Sequence, residues 1–121
     1  MSNVTELIDG YIAMWNETDD ERRRDLIAKT WTRTASYLDP VMQGEGPAGI
    51  EAMVRGVQER FPGHKFRRTS EVDSHHDRLR FGWELAADGG PAVVSGTDFG
   101  IVSEGRLQTI TGFFDQGPAA S

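Results

Sequence analysis

The chain contains no cysteine, so disulfides, thiolate metal sites and cysteine nucleophiles are excluded, and a reducing cytoplasm is compatible with it. Positive charge is also scarce: Lys and Arg number 13 against 19 Asp and Glu, for a formal net charge of -6. Such a surface repels a phosphate backbone or an anionic membrane, so neither nucleic acid nor membrane is expected as a partner. The one arginine run, Arg22-Arg23-Arg24, is bracketed by Asp19, Asp20, Glu21 and Asp25, as on a solvated helix face with i,i+4 pairs. Long apolar runs are missing too, and MSNVTELIDG at the start lacks a basic segment followed by an apolar one, which predicts a soluble, cytoplasmic protein. At 121 residues the chain fits a single domain, 1–121, with one core large enough to hold a cavity.

What is present reads in two halves. Val4, Leu7, Ile8, Tyr11, Ile12 and Trp15 recur at helical spacing behind Asn3 and Glu6, a cap followed three residues later by an acid. Thr18 and Glu21 repeat that spacing before Leu26, Ile27 and Trp31, predicting a second helix. A brief strand over 35–38 runs into Asp39-Pro40, where proline removes a donor and disfavours helix at the aspartate. A loop over 42–46 leads to Pro47 and a third helix carrying Ile50, Met53, Val54, Val57 and Phe61, stopped by Pro62-Gly63. Beyond it the period changes to alternation over 65–74, 78–86, 91–103 and 106–115, four long strands of an antiparallel meander. Residues 116–121 are expected to fray. Helices followed by such a sheet give an α+β domain with the helices on its concave face.

The order of several short motifs adds to this. Tyr11-Ile12 with Trp15, Tyr37-Leu38-Asp39-Pro40, Gly46 four residues before Ile50, Phe61-Pro62-Gly63-His64 and Gly105-Arg106-Leu107-Gln108-Thr109-Ile110 together resemble the nuclear transport factor 2-like superfamily, in its SnoaL-like polyketide cyclase and ketosteroid isomerase-like branch. The resemblance implies a cone-shaped, cystatin-like fold: three N-terminal helices on the concave face of a curved, mainly antiparallel sheet enclosing a pocket. It also implies a homodimer through the outer sheet face and no metal or organic cofactor. The isomerases use a helix-one tyrosine, an aspartate before a proline and an aspartate in the long strand before the final turn. Carried over by motif, these are Tyr11, Asp39 and Asp98, with Asp39 as general base and Tyr11 and a protonated Asp98 donating to an enolate oxygen. Val54 stands where the isomerase pattern places another helix tyrosine. The implied ligand is a small apolar or aromatic molecule, a ketone or polyketide-like compound. A non-catalytic ligand-binding or association domain is the alternative, and a dehydratase or epoxide hydrolase using the same pocket is a further one.

The residues themselves leave choices open. Asp98 shares strand parity with Val94, Gly96, Gly100 and Val102, which aims its carboxyl inward and would raise its pKa by desolvation. It could instead cap a turn or pair with an arginine on the outer face. Tyr11 serves equally as a core tyrosine with its hydroxyl satisfied, and Asp39 as the cap of an Asp-Pro turn. Trp15, Trp31, Met53, Phe81, Trp83 and Phe114 are suited to line an apolar pocket. His75 and His76 lie side by side in Asp73-Ser74-His75-His76-Asp77. On a strand they point to opposite faces, so one metal cannot readily take both, and no metal site is expected. A histidine at the cone's rim remains a candidate for acid–base assistance.

Overall fold

The computed structural model describes residues 3–117, and the expected fraying of 118–121 lies outside the described residues. The first helix, α1 (Val4–Asn16), starts at Asn3, whose side chain accepts from Thr5 N at 2.8 Å. Helix α2 (Asp20–Thr30) is capped by Asp19, which accepts from Arg22 N at 2.9 Å, rather than by Thr18. A carboxylate is the stronger acceptor there and also faces the positive end of the helix dipole.

Two further expectations are corrected in this region. Trp31 does not close the apolar face of α2 but opens β1 (Trp31–Leu38), because the β-branched and aromatic residues of WTRTASYL favour an extended chain. Arg23 is not solvated: it is only 1% exposed, its guanidinium donating to the Glu17 carbonyl at 2.8 Å and to Gln58 at 3.3 Å and pairing with Asp20. It ties the α1–α2 turn to the third helix, α3 (Gly46–Arg60). The loop expected before α3 contains a short strand, β2 (Gln43–Glu45), paired with β1.

The remaining strands are β3 (His64–Arg68), β4 (Asp73–His75), β5 (Arg78–Ala87), β6 (Ala92–Ser103) and β7 (Arg106–Gln116). The strand expected over 65–74 is therefore two. Residues 69–72 make an excursion over Gly82, whose carbonyl accepts from Thr69 N at 2.9 Å and whose N–H donates to Ser70 at 2.8 Å. A Cβ at Gly82 would lie 2.7 Å from the Thr69 hydroxyl oxygen, so glycine lets the Thr69 side chain sit directly over the strand. The sheet runs in the order β2-β1-β7-β6-β5-β3, with β4 also on β5, and β1–β7 is its one parallel pair. This is the expected α+β architecture.

The sheet's curvature has a visible cause in β6 and β7. Their register shifts between Ser95 and Gly96, and a Cβ at Gly96 would sit 2.1 Å from the Phe113 carbonyl oxygen. A bulge with no side chain lets the strands close up and bend. The inner face then carries Val94, Gly96, Asp98 and Gly100, all buried. Phe99 and Phe113 lie exposed on the outer face with ring centroids 5.7 Å apart, the face to which the resemblance assigns a second copy of the chain. Between the inner face and the helices sits a core of Ile8, Met14, Ile27, Ile50, Leu107 and Ile110.

Candidate active site

Asp98 stands in the middle of β6 with 2% of its surface exposed. Among the described residues no arginine pairs with it. The Tyr11 hydroxyl, from α1, donates to its Oδ2 at 2.7 Å, and the Trp83 indole N–H, from β5, donates to Oδ1 at 2.8 Å. Burial pushes the Asp98 carboxyl up to about 7; the two donors oppose that rise and the nearby Asp39 charge adds to it. Tyr11 is held well above the ordinary phenol range by burial and by the Asp98 charge, so it stays a protonated donor. Sequence reading placed Trp83 among apolar lining residues. Its polar role follows from strand pairing, which sets Trp83 opposite Gly96 and Phe81 opposite Asp98, so that the indole reaches diagonally to the carboxylate.

Asp39 directly follows the end of β1 and precedes Pro40, 7% exposed. Its Oδ1 accepts from Val41 N at 2.9 Å and Met42 N at 3.0 Å, the self-capping Asp-Pro turn. Its Oδ2 accepts from the Tyr37 hydroxyl at 2.7 Å. The turn and the inward orientation are thus not alternatives: one oxygen caps the backbone while the other meets a phenol. Tyr37 was not singled out by the sequence, although its place two residues before Asp39 on a strand puts both side chains on one face. Burial, with the charges of Asp98 and Asp39, raises its pKa. Changing Tyr37 to Phe leaves a buried carboxylate short of one donor. It should lower unfolding free energy by about 1.5–3 kcal/mol, read as a lower urea midpoint with an unchanged slope; an unchanged midpoint would mean the hydrogen bond contributes no net stability.

The two carboxylates meet at Gly112 of β7. A Cβ there would lie 2.8 Å from Asp98 Oδ1, 3.2 Å from Asp39 Cβ and 3.5 Å from the Tyr37 hydroxyl. The bare glycine is what lets both acids and the phenol face one space. They form the inner end of a cavity of about 690 Å³, within the range that takes a drug-sized molecule. Trp15, Met53, Trp83 and Phe114 line it as expected, joined by Phe66 and Leu85. Trp31 and Phe81 do not. Both are buried behind Tyr11, with ring centroids 5.7 and 5.8 Å from its ring, and Trp31 donates to the Met14 sulfur at 3.1 Å.

Tyr11, Asp39 and Asp98 are brought together; the histidines are not. His75 ends β4 and His76 occupies the turn to β5 with φ 52°, both exposed, their Nδ1 atoms 3.1 Å apart and neither lining the cavity. Among the described residues no group of three or more His, Asp or Glu is arranged to hold a metal ion. Buried carboxyls, protonated phenols and an apolar cavity can move a proton at a carbon beside a carbonyl and hold the charge that develops on oxygen.

The chain is similar over 91% of its length, at 40% identity and a TM-score of 0.86, to a candidate isomerase of the SnoaL-like family from Agrobacterium tumefaciens str. C58, covering 95% of that chain. An NTF2-like protein of unknown function from Exiguobacterium sp. 255-15 is 19% identical with a TM-score of 0.71, covering 90% of this chain and 98% of that one. A candidate SnoaL-like polyketide cyclase from Jannaschia sp. CCS1 is also 19% identical, with a TM-score of 0.68 and coverage of 92% and 86%. These last two likenesses concern the fold. No protein-family model matches the chain, and no curated protein matches it.

Proposed function

The chain belongs to the SnoaL-like family, and from that premise we propose that it is a cofactor-independent enzyme of proton transfer next to a carbonyl, isomerising or cyclising an apolar ketone or polyketide-like substrate. One observation carries this reading: two buried carboxyl groups face one space at the inner end of an apolar cavity, Asp98 held by a phenol and an indole and Asp39 by a phenol and two backbone N–H groups. Asp39, its Oδ1 held by two backbone N–H groups and its Oδ2 by the Tyr37 hydroxyl, is the carboxyl assigned as base. Asp98, pushed up to about 7, is the partner that holds a proton. Burial that keeps the proton on Asp98 makes it the donor and leaves the base role to the other carboxyl. Asp39 removes the proton from carbon, and Tyr11 with neutral Asp98 donates to the enolate oxygen. Returning the proton from Asp39 to another carbon gives isomerisation; attack of the enolate on a second carbonyl gives cyclisation.

The test is turnover of conjugated enones and diketone polyketide mimics by the purified protein without added metal or cofactor. Proton exchange at the carbon beside the ketone, followed in deuterated water, detects the first step even where the product is unknown. The expected result is enzyme-dependent exchange in at least one apolar ketone. Saturable binding across the panel with no exchange would overturn the enzymatic reading in favour of a binding domain.

A further inference from the structure

The cavity that holds the acids inside carries a single basic residue among its described lining residues, and it stands at the mouth. Arg60, at the end of α3, lines the opening, and its guanidinium carbon lies 5.6 Å from the centroid of the Phe61 ring, which lines it too. Arg60, like Arg22, Arg33, Arg55 and Arg106, has no carboxylate partner among the described residues, and of these it alone lines the cavity. Glu45, on β2, is the one acid at the mouth and does not pair with it. An aromatic face under a guanidinium limits its orientations, and a planar fork without a carboxylate partner can receive one through two parallel hydrogen bonds.

The path between the two ends is open. Met53, Gly56, Val57 and Arg60 all line the cavity and recur at helical spacing on α3. A Cβ at Gly56 would meet nothing within 4 Å. Glycine inside a helix costs about 0.5–1 kcal/mol relative to alanine, and what it leaves here is space along the wall leading to Arg60. An apolar cavity alone cannot tell one end of a hydrophobic ketone from the other, yet enolate chemistry needs the carbonyl at Tyr11 and Asp98. A lone cation at the opposite end supplies that polarity.

We propose that the substrate carries a carboxylate, or an equivalent anionic group, at the end remote from its reacting ketone, and that Arg60 receives it and sets the orientation. This rests on the proton-transfer reading for which end of the ligand enters first. Arg60 is a specificity-determining residue in this scheme and takes no part in the proton transfer, while Glu45 moderates its pull on the anion.

The probes are 2-naphthoyl alkanoic acids of increasing chain length, each with its methyl ester, titrated at low salt against the quenching of Trp15 and Trp83 fluorescence. For the best-fitting length, wild-type protein should bind the acid about tenfold tighter than the ester. Arg60→Gln should make the two equal, and Glu45→Gln should widen the wild-type preference. Equal binding of acid and ester by wild type, or a preference that survives Arg60→Gln, overturns the assignment. Because the readout is binding, the two readings fail separately. Ketones that bind with the acid preference but show no proton exchange overturn the enzymatic reading alone, whereas exchange with equal KM for acid and ester overturns the Arg60 assignment alone. Failure of wild type to bind any of the acids overturns the Arg60 assignment, while the exchange assay alone decides the enzymatic reading.

Discussion

Asp98→Asn is expected to gain stability relative to wild type between pH 4 and pH 8. The Asp98 carboxyl is raised from 3.8 to about 7 in the folded chain, so between those values the folded state holds a proton that the unfolded state has released. Stability from this group is complete below the unfolded value and is lost as pH rises through the folded one. A shift of about three units corresponds to roughly 4 kcal/mol, an order-of-magnitude figure. Asparagine does not titrate. Its amide oxygen can accept from the Trp83 N–H and its NH₂ can face the Tyr11 oxygen, so the packing cost of the exchange is the same at both pH values and cancels in the difference. Urea unfolding of both proteins at pH 4 and pH 8 reads this directly. The same difference in stability at both pH values would mean that burial does not hold the carboxyl neutral, and the hydrogen-bond donor assigned to the enolate would lose its basis.

The most consequential acid was legible in the sequence only indirectly. Asp98 has no local motif; only its strand parity, and the resemblance, pointed inward. Its two donors come from α1 and β5, and the Tyr11 contact joins residues 87 apart in sequence. Patterns of period two or 3.6 report which face a residue takes, not which distant side chain it meets. Asp39 was easier because Leu38-Asp39-Pro40 announces a strand end by local sterics alone. The helices were legible through their caps and apolar stripes. Trp31 was misplaced because it sits at the junction of α2 and β1, where its apolar character satisfies either period and only its extended backbone, paired with Leu107, distinguishes them. The break at 69–72 was invisible for another reason: Val72 keeps an alternating pattern going, while the excursion is fixed by the bare backbone of Gly82 on a neighbouring strand.

The pairing of an acid with a base at one glycine leads to the other large effect. Asp39→Asn should lower turnover by about 10²–10⁴ while leaving ligand affinity and fold nearly intact. The fold survives because an amide oxygen still accepts from Val41 N and Met42 N, preserving the turn after β1, and the amide nitrogen can donate to the Tyr37 oxygen, whose hydroxyl proton turns elsewhere. What disappears is the oxygen able to take a proton from carbon. Single-turnover proton exchange in deuterated water separates this from a binding defect, since saturation by the same ketone should occur at a similar concentration. The pH profile adds the sign. With Asp39 as base and neutral Asp98 as donor, wild-type turnover should decline as pH rises through about 7, because the donor that faces the enolate becomes a charge that repels it. If the roles were exchanged, turnover would rise through that same pH and Asp39→Asn would be tolerated. Equal turnover by Asp39→Asn together with a rising profile would therefore move the base to Asp98 and leave Asp39 as the cap of its turn.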